Sequence, residues 1–101
     1  MYKVIETIEY INWFNKQNIK EQAQIQARVL RIVTDGHFGI AKKLDSSLAE
    51  LKWTSGRRIY FTTSVDDDGN IIILLLGGNK NTQPKDIKKA KSIIKKLSED
   101  K

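Results

Sequence analysis

The sequence predicts an α+β fold in which a small, mainly antiparallel sheet packs against helices. Alternation of apolar and polar residues over 48–53 and 57–64 is typical of half-buried strands. Over 8–16, over 19–34 and after Pro84, apolar residues instead recur every three or four positions, as in helices that pack on a sheet. The predicted order is strand, helix, helix, three strands and helix.

The first strand is predicted over 2–7, where β-branched and aromatic residues dominate. Thr7 is a suitable N-cap for the helix over 8–16, and a longer helix over 19–34 ends at Asp35 and Gly36. Two sets of apolar residues in the longer helix are expected to face the sheet: Ile19, Ala23, Ala27 and Leu30, and beside them Ile25, Val29 and Val33.

Two hairpins are predicted after an irregular connection over 37–47. A three-residue turn over 54–56 is preferred for the first hairpin, because a shift by one residue would mix its two faces. In that register Lys52 lies opposite Arg58. The apolar face then carries Leu51, Trp53, Ile59 and Phe61, and the polar face carries Glu50, Lys52, Arg58, Tyr60 and Thr62.

The second hairpin turns at 66–70 and leads into 71–76. This run is apolar on both faces, which is typical of a central strand covered on both sides. Residues 77–79 are expected to end the strand. Thr82 or Gln83 then caps the last helix, whose lysines face water and whose inward residues are Ile87, Ala90, Ile93, Ile94 and Leu97.

The charge of the chain is concentrated near its C-terminus. With 101 residues the chain fits one domain over 1–101, and 18 Lys and Arg against 12 Asp and Glu give a net charge of +6. Residues 80–101 hold eight lysines and three acidic residues, which is +5 of that total. Such a concentration suits a polyanion such as nucleic acid, and it equally suits a lysine-rich helix that keeps the protein soluble.

Several classes of protein are excluded by composition. The chain has no Cys, so disulfides, thiolate nucleophiles and Cys-ligated zinc are absent, and with His37 alone it has no paired-histidine metal site. The longest apolar run, 71–76, is far shorter than the roughly 20 residues that span a bilayer. The N-terminus has no signal-peptide pattern. We therefore expect a cytoplasmic protein without a membrane partner.

A candidate phosphate site lies where the polar face of the first hairpin meets the turn over 77–85. Paired glycines allow a close approach of backbone amides to a ligand, and a helix N-terminus favours an anion. With Lys52, Arg58 and Lys80, this region could bind a phosphodiester and stabilise its transition state. The alternative is structural: the glycines turn a corner, and Arg58 pairs with Glu50 across the strands.

The segments 50–53, 56–61 and 74–90 resemble the RelE/ParE toxin superfamily, and within it the HigB-like branch of addiction-module killer proteins. The most specific part is the pattern Gly-Gly-x-Lys-x-x-Gln-x-x-Asp-Ile, which begins at Gly77. The resemblance implies a RelE-like fold and the toxin half of a bacterial type II toxin–antitoxin operon. It also implies cleavage of mRNA, commonly on the ribosome, without a metal or other cofactor. The implied partner is a small antitoxin, usually a helix-turn-helix protein.

The resemblance implies roles for individual residues. Arg58 stands at the position of the family's strand arginine, Lys80 matches the lysine after the two glycines, and Lys52 stands where many relatives have Arg. The catalytic residues expected on this basis are Arg58, Lys80, Lys52 and Gln83, and the RNA-binding residues are Arg57, Tyr60 and Lys85. The chain lacks the C-terminal Tyr or His of some subfamilies, so proton transfer would have to use lysine or tyrosine.

Two other functions are compatible with the same fold, because a fold does not fix a function. A ParE-like protein would inhibit DNA gyrase by binding, without a nuclease site. The third possible function is that of a nucleic-acid-binding module without catalytic activity.

Overall fold

The chain follows the predicted order of elements, with one strand more than predicted. The computed structural model describes residues 2–99. The elements are β1 (Tyr2–Glu6), α1 (Ile8–Asn15), α2 (Ile19–Asp35), β2 (Ala41–Lys43), β3 (Ala49–Lys52), β4 (Arg57–Asp66), β5 (Gly69–Asn79) and α3 (Gln83–Glu99). No helix within this part of the chain is both long and apolar enough to cross a membrane.

The five strands form one sheet in the order β1-β5-β4-β3-β2. β1 runs parallel to β5, and all other neighbours are antiparallel. Helices α1 and α2 cover one face over a core that includes Tyr10, Ile25, Ile32 and Leu74. Helix α3 covers the other face over a second core that includes Tyr60. The prediction of a mixed, mainly antiparallel sheet between two N-terminal helices and one C-terminal helix is confirmed.

The register of the first hairpin is the predicted one. Lys52 pairs with Arg58, Leu51 with Ile59, and Glu50 with Tyr60. The turn between the strands contains Gly56 at φ +105°, a conformation that L side chains rarely adopt.

The connection predicted as irregular over 37–47 contains the edge strand β2, so that prediction was wrong. All three of its residues are exposed, and Ala-Lys-Lys has no apolar alternation that could reveal a strand. Arg28 of α2 holds the preceding segment against the sheet. Its guanidinium donates to the carbonyl oxygens of Phe38, Ile40 and Lys52.

One of the two apolar sets predicted for the inner face of α2 lies on its outer face. Ile19 is 85% exposed and Leu30 is 60% exposed, whereas Ile25 and Ile32 are fully buried. The helix has apolar residues on both sides, and packing against β1 rather than the pattern itself selects the inner one.

The strand predicted to end at Gly77 continues to Asn79, which corrects the sequence-based boundary. Gly77, Gly78 and Asn79 pair with Ile59, Arg58 and Arg57 of β4. The ladder shifts register at Tyr60 and Phe61, so that Leu75 is the extra residue of a β-bulge. Leu75 and Leu76 both pack in the core under α3 as a result.

The two glycines lie beneath helices on opposite faces of the sheet, because neighbouring residues of a strand face opposite sides. A Cβ atom on Gly77 would overlap the indole ring of Trp13 in α1, and one on Gly78 would overlap the carboxylate of Asp86 in α3. Glycine is therefore required here for close packing. The predicted close approach of their backbone amides to a ligand stays a prediction.

Candidate functional site

The cations predicted for the site lie mostly at one end of the sheet, where α3 begins. Lys52 of β3 and Gly78 of β5 are the ladder neighbours of Arg58, one on each side. The backbone N–H of Lys80 donates to the carbonyl of Gly56 at 2.8 Å, which places Lys80 against the β3–β4 turn. Lys85 lies in the first turn of α3 and is exposed.

Arg58 is held from one side of its guanidinium. Its side chain is 12% exposed, and its Nε lies 3.5 Å from Oε1 of Glu50, which is within ion-pair distance but not aligned as a hydrogen bond. Nη1 donates to the carbonyl of Arg57 at 3.2 Å. The Nη2 end forms none of the side-chain hydrogen bonds found within residues 2–99 and is the part of the fork free to bind a phosphate oxygen.

Glu50 is buried at 1% exposure and is held by Gln83. The side-chain amide of Gln83 donates to Oε1 at 3.0 Å and to Oε2 at 3.3 Å. A buried carboxylate is tolerated only with such partners. The structure thus places Gln83, predicted as catalytic, on a carboxylate in the interior. The pairing of Arg58 with Glu50, one of the two alternatives left open by the sequence, is present.

Tyr60 is fully buried under α3, and its hydroxyl has no hydrogen-bond partner among residues 2–99. Burial raises the pKa of this phenol, the charges of Glu50 and Asp86 add to the increase, and Arg58 opposes it. The predicted stacking of an RNA base on Tyr60 does not fit this burial, since no ring face is accessible.

Lys80 and Lys52 differ from Arg58 in their surroundings. Lys80 is exposed, and its aliphatic stem lies over Gly56, where a Cβ would come within 3.4 Å of the Lys80 Cγ. Lys52 is half-buried at the side of Arg58. Lys52 is thus a direct neighbour of Arg58 in the sheet, and Lys80 lies against the turn that precedes β4.

Arg57 points to the opposite face and is not part of this group. Its Nη2 lies 3.2 Å from Oε2 of Glu21, and its guanidinium stacks on Trp53 at 5.2 Å from the ring centroid. Arg28 covers the same ring at 4.2 Å. Since neighbouring strand residues point to opposite faces, the separation of Arg57 from Arg58 follows from period-two alternation.

The N-terminus of α3 is fixed by a second group of polar contacts. Thr82 Oγ1 donates to the carboxylate of Asp86, and the backbone N–H of Asp86 donates to the carbonyl of Thr82 at 2.9 Å. The backbone N–H of Asn79 donates to Thr82 Oγ1 at 3.3 Å. Thr82, one of the two cap candidates predicted, thus occupies the N-cap position, with its hydroxyl directed to Asp86. Within residues 2–99, no three His, Asp or Glu side chains gather as metal ligands.

Solved structures with the same fold are RelE toxins. The similarity to the RelBE2 toxin–antitoxin complex of Mycobacterium tuberculosis has a TM-score of 0.61 at 14% identity and covers 77% of this chain and 96% of that chain. For the intact RelBE complex of E. coli the TM-score is 0.60 at 12% identity, covering 78% and 96%. The free E. coli toxin RelE, in a mutant form, gives 0.60 at 14% identity, covering 77% and 82%. The chain is therefore an α+β protein with a RelE-like fold.

Sequence similarity defines a family for the chain. It is 36% identical over 94 residues to an uncharacterized protein of Haemophilus influenzae, and the match covers 90% of this chain and 91% of that protein. The chain belongs to the same family as that protein. No protein-family model matches it.

Proposed function

We propose that this chain is the toxin of a bacterial type II toxin–antitoxin pair, with one toxin domain over 1–101, and that it cleaves mRNA on the ribosome in the cytoplasm. The observation that carries the proposal is the grouping of Lys52, Arg58, Lys80 and Lys85 where α3 begins. It is supported by the RelE-like fold, which in two of the solved structures belongs to a toxin–antitoxin complex. Cleavage of mRNA would inhibit translation.

The proposed reaction is attack of a ribose 2′-oxygen on the adjacent phosphorus. The 2′-hydroxyl gives up its proton, the 5′-oxygen leaves and takes one up, and a cyclic phosphate forms. Negative charge accumulates on the nonbridging oxygens in the transition state, where fixed donors have their largest effect. The free end of the Arg58 fork would bind these oxygens, and Lys52 and Lys80 would lie at its sides. No metal is required for this charge stabilisation.

Lys80→Ala is expected to lower the cleavage rate about tenfold, or about 1.4 kcal/mol in the barrier. The effect is modest because Lys80 is exposed, so solvent screens its charge. The measurement is primer extension on an mRNA bound to programmed ribosomes after addition of the purified protein. Lys95→Ala, the same change at an exposed position in the last turns of α3, is the matched control and should cleave at the wild-type rate.

Equal rates of mRNA cleavage by Lys80→Ala and wild type would show that Lys80 is not part of the site. Absence of cleavage by the folded wild-type protein, with and without ribosomes, would refute the nuclease proposal. The ParE-like alternative would then be tested by measuring DNA supercoiling by gyrase in the presence of the protein.

The proposed partner is a small antitoxin, of helix-turn-helix type if the HigB-like resemblance holds. The solvent face of α3 is rich in lysines. Lys91 lies 3.5 Å from Asp45, and the other lysines of the helix form none of the ion pairs found within residues 2–99. We expect this basic face to favour an acidic or bulky neighbour.

Co-expression with the adjacent gene should relieve growth arrest and yield a stable complex in a pull-down. The proposal of an antitoxin would fail if no complex were recovered and toxicity were unchanged.

A further inference from the structure

The polar residues beneath the start of α3 form a continuous series of contacts that ends on Arg58. Gln83, the first residue of α3, donates from one amide nitrogen to both oxygens of the Glu50 carboxylate. The same carboxylate faces Nε of Arg58. Because Glu50 is 1% exposed, water cannot replace either partner.

We infer that Glu50 and Gln83 are positioning residues that hold Arg58 in the orientation needed to bind a phosphate. This inference rests on the proposed nuclease function. The Glu50 carboxylate lies at ion-pair distance from Nε, and Nη1 donates to the carbonyl of Arg57. Together these contacts orient the guanidinium and leave its Nη2 end to donate to a phosphate oxygen. Gln83 limits rotation of the carboxylate by occupying both of its oxygens.

The burial of Glu50 also distinguishes this role from that of a general base. A base must come within hydrogen-bond reach of the proton it removes, at about 2.6–3.2 Å. Glu50 lies in the interior, with Tyr60 as its cross-strand neighbour and Gln83 on both oxygens. An RNA hydroxyl has no access to it, whereas Arg58 at the edge of the cluster retains some exposure.

The residues around Gln83 fix its position. The Thr82 hydroxyl contacts Asp86, and Asp86 lies against the Cα of Gly78, the ladder partner of Arg58. Both ends of the series are therefore positioned by β5: Gln83 through the contact of Asp86 with Gly78, and Arg58 through its pairing with Gly78. In this arrangement Gln83 acts on Arg58 through Glu50. Lys80 is left to contact the substrate.

The test is Glu50→Gln, which keeps the shape of the side chain and removes its charge. Asp45→Asn is the matched control, because it makes the same change at an exposed ion pair with Lys91. We expect Glu50→Gln to lower kcat for ribosome-bound mRNA about tenfold with KM changed less than about twofold, and Asp45→Asn to change neither. In an Arg58→Lys background, Glu50→Gln should produce no further loss, because its effect passes through the guanidinium.

Two results of the kinetic and thermal measurements would overturn the inference. One is a lower thermal midpoint for Glu50→Gln with kcat unchanged, which would make Glu50 merely structural. The other is the same fold-loss in the wild-type and Arg58→Lys backgrounds. Should Glu50→Gln fail to fold, Gln83→Ala is measured in its place, with an expected loss in kcat of about threefold.

A second measurement does not depend on RNA cleavage. In ¹⁵N–¹H NMR spectra the Arg58 Nε–Hε signal is assigned by its loss in Arg58→Lys. It should shift in Glu50→Gln and not in Asp45→Asn. If the wild-type protein does not cleave RNA, the proposed function fails, and this signal alone decides the positioning: a shift supports it, and an unchanged signal overturns it.

Discussion

Arg58→Ala is expected to lower the rate of mRNA cleavage by about 10²–10³, which corresponds to about 3–4 kcal/mol of transition-state stabilisation. Among the proposed catalytic cations, Arg58 has contacts at two guanidinium nitrogens: Nε lies at ion-pair distance from Glu50, Nη1 donates to the Arg57 carbonyl, and Nη2 is left for a ligand. A donor fixed in a partly desolvated position stabilises developing charge more than a solvated one does. Single-turnover cleavage on programmed ribosomes measures the loss. Cleavage by folded Arg58→Ala within about threefold of wild type would contradict the assignment.

The same substitution should also destabilise the protein. Arg58 was predicted on the polar face of the hairpin, where an arginine is not needed for a core. From the sequence alone, its removal would therefore be expected to leave the thermal midpoint nearly unchanged. In the structure, however, Arg58 is 12% exposed and faces the buried carboxylate of Glu50. Breaking such a pair by removing one partner costs about 3–5 kcal/mol. Adding Glu50→Gln to Arg58→Ala should recover part of this stability while the cleavage rate stays low, which separates the two effects.

Gly77→Ala is expected to be the most disruptive substitution for folding in β5. Its Cβ would overlap the Trp13 indole, which packs against Tyr10 in the core, so either α1 or the strand must move. Overpacking of this kind costs about 1–3 kcal/mol or more. For a chain of this size, about 3 kcal/mol lowers the thermal midpoint by more than about 10 °C.

Gly36→Ala is the matched control for this prediction. Gly36 has φ +67° at the end of α2, but a Cβ there would meet no atom of residues 2–99 within 4 Å, so only backbone strain of about 1 kcal/mol applies. Calorimetry or thermal CD on both variants decides the matter. A Gly77→Ala midpoint no lower than that of Gly36→Ala would show that α1 yields to the added methyl group. Combining Gly77→Ala with Trp13→Ala should give a loss smaller than the sum of the two.

The parts of the fold that the sequence predicts are those set by local pattern. The alternation on both sides of the turn over 54–56 leaves one register that keeps the two faces distinct, and that register is observed. By contrast, β2 has three residues without alternation, and the segment before it is held by Arg28 from a distant helix. The inner face of α2 could not be chosen from a helix with apolar residues on two sides.

The residues of the candidate site also differ in whether local sequence or long-range packing sets their positions. Lys52, Arg58 and Lys80 could be placed at one end of the sheet from hairpin register and sequence order. The contact of Gln83 with Glu50 could not, because it depends on where α3 lands on the sheet. Nor does the uniformly apolar run over 71–76 reveal the bulge at Leu75, which puts Leu75 and Leu76 together in the core under α3.

The parallel pairing of β1 with β5 has a consequence for the order in which the chain can fold. Tyr2 is the register partner of Asn70, so the first strand has no neighbour until most of the chain exists. The β4–β5 hairpin closes a short loop and forms locally, whereas docking of β1 closes a long one and carries a larger entropic cost. During synthesis the first strand therefore stays unpaired, and the sheet is completed only after β5 has left the ribosome. Because Gly78 of β5 is also the ladder partner of Arg58, the surroundings of Arg58 are likewise incomplete until β5 has been synthesised.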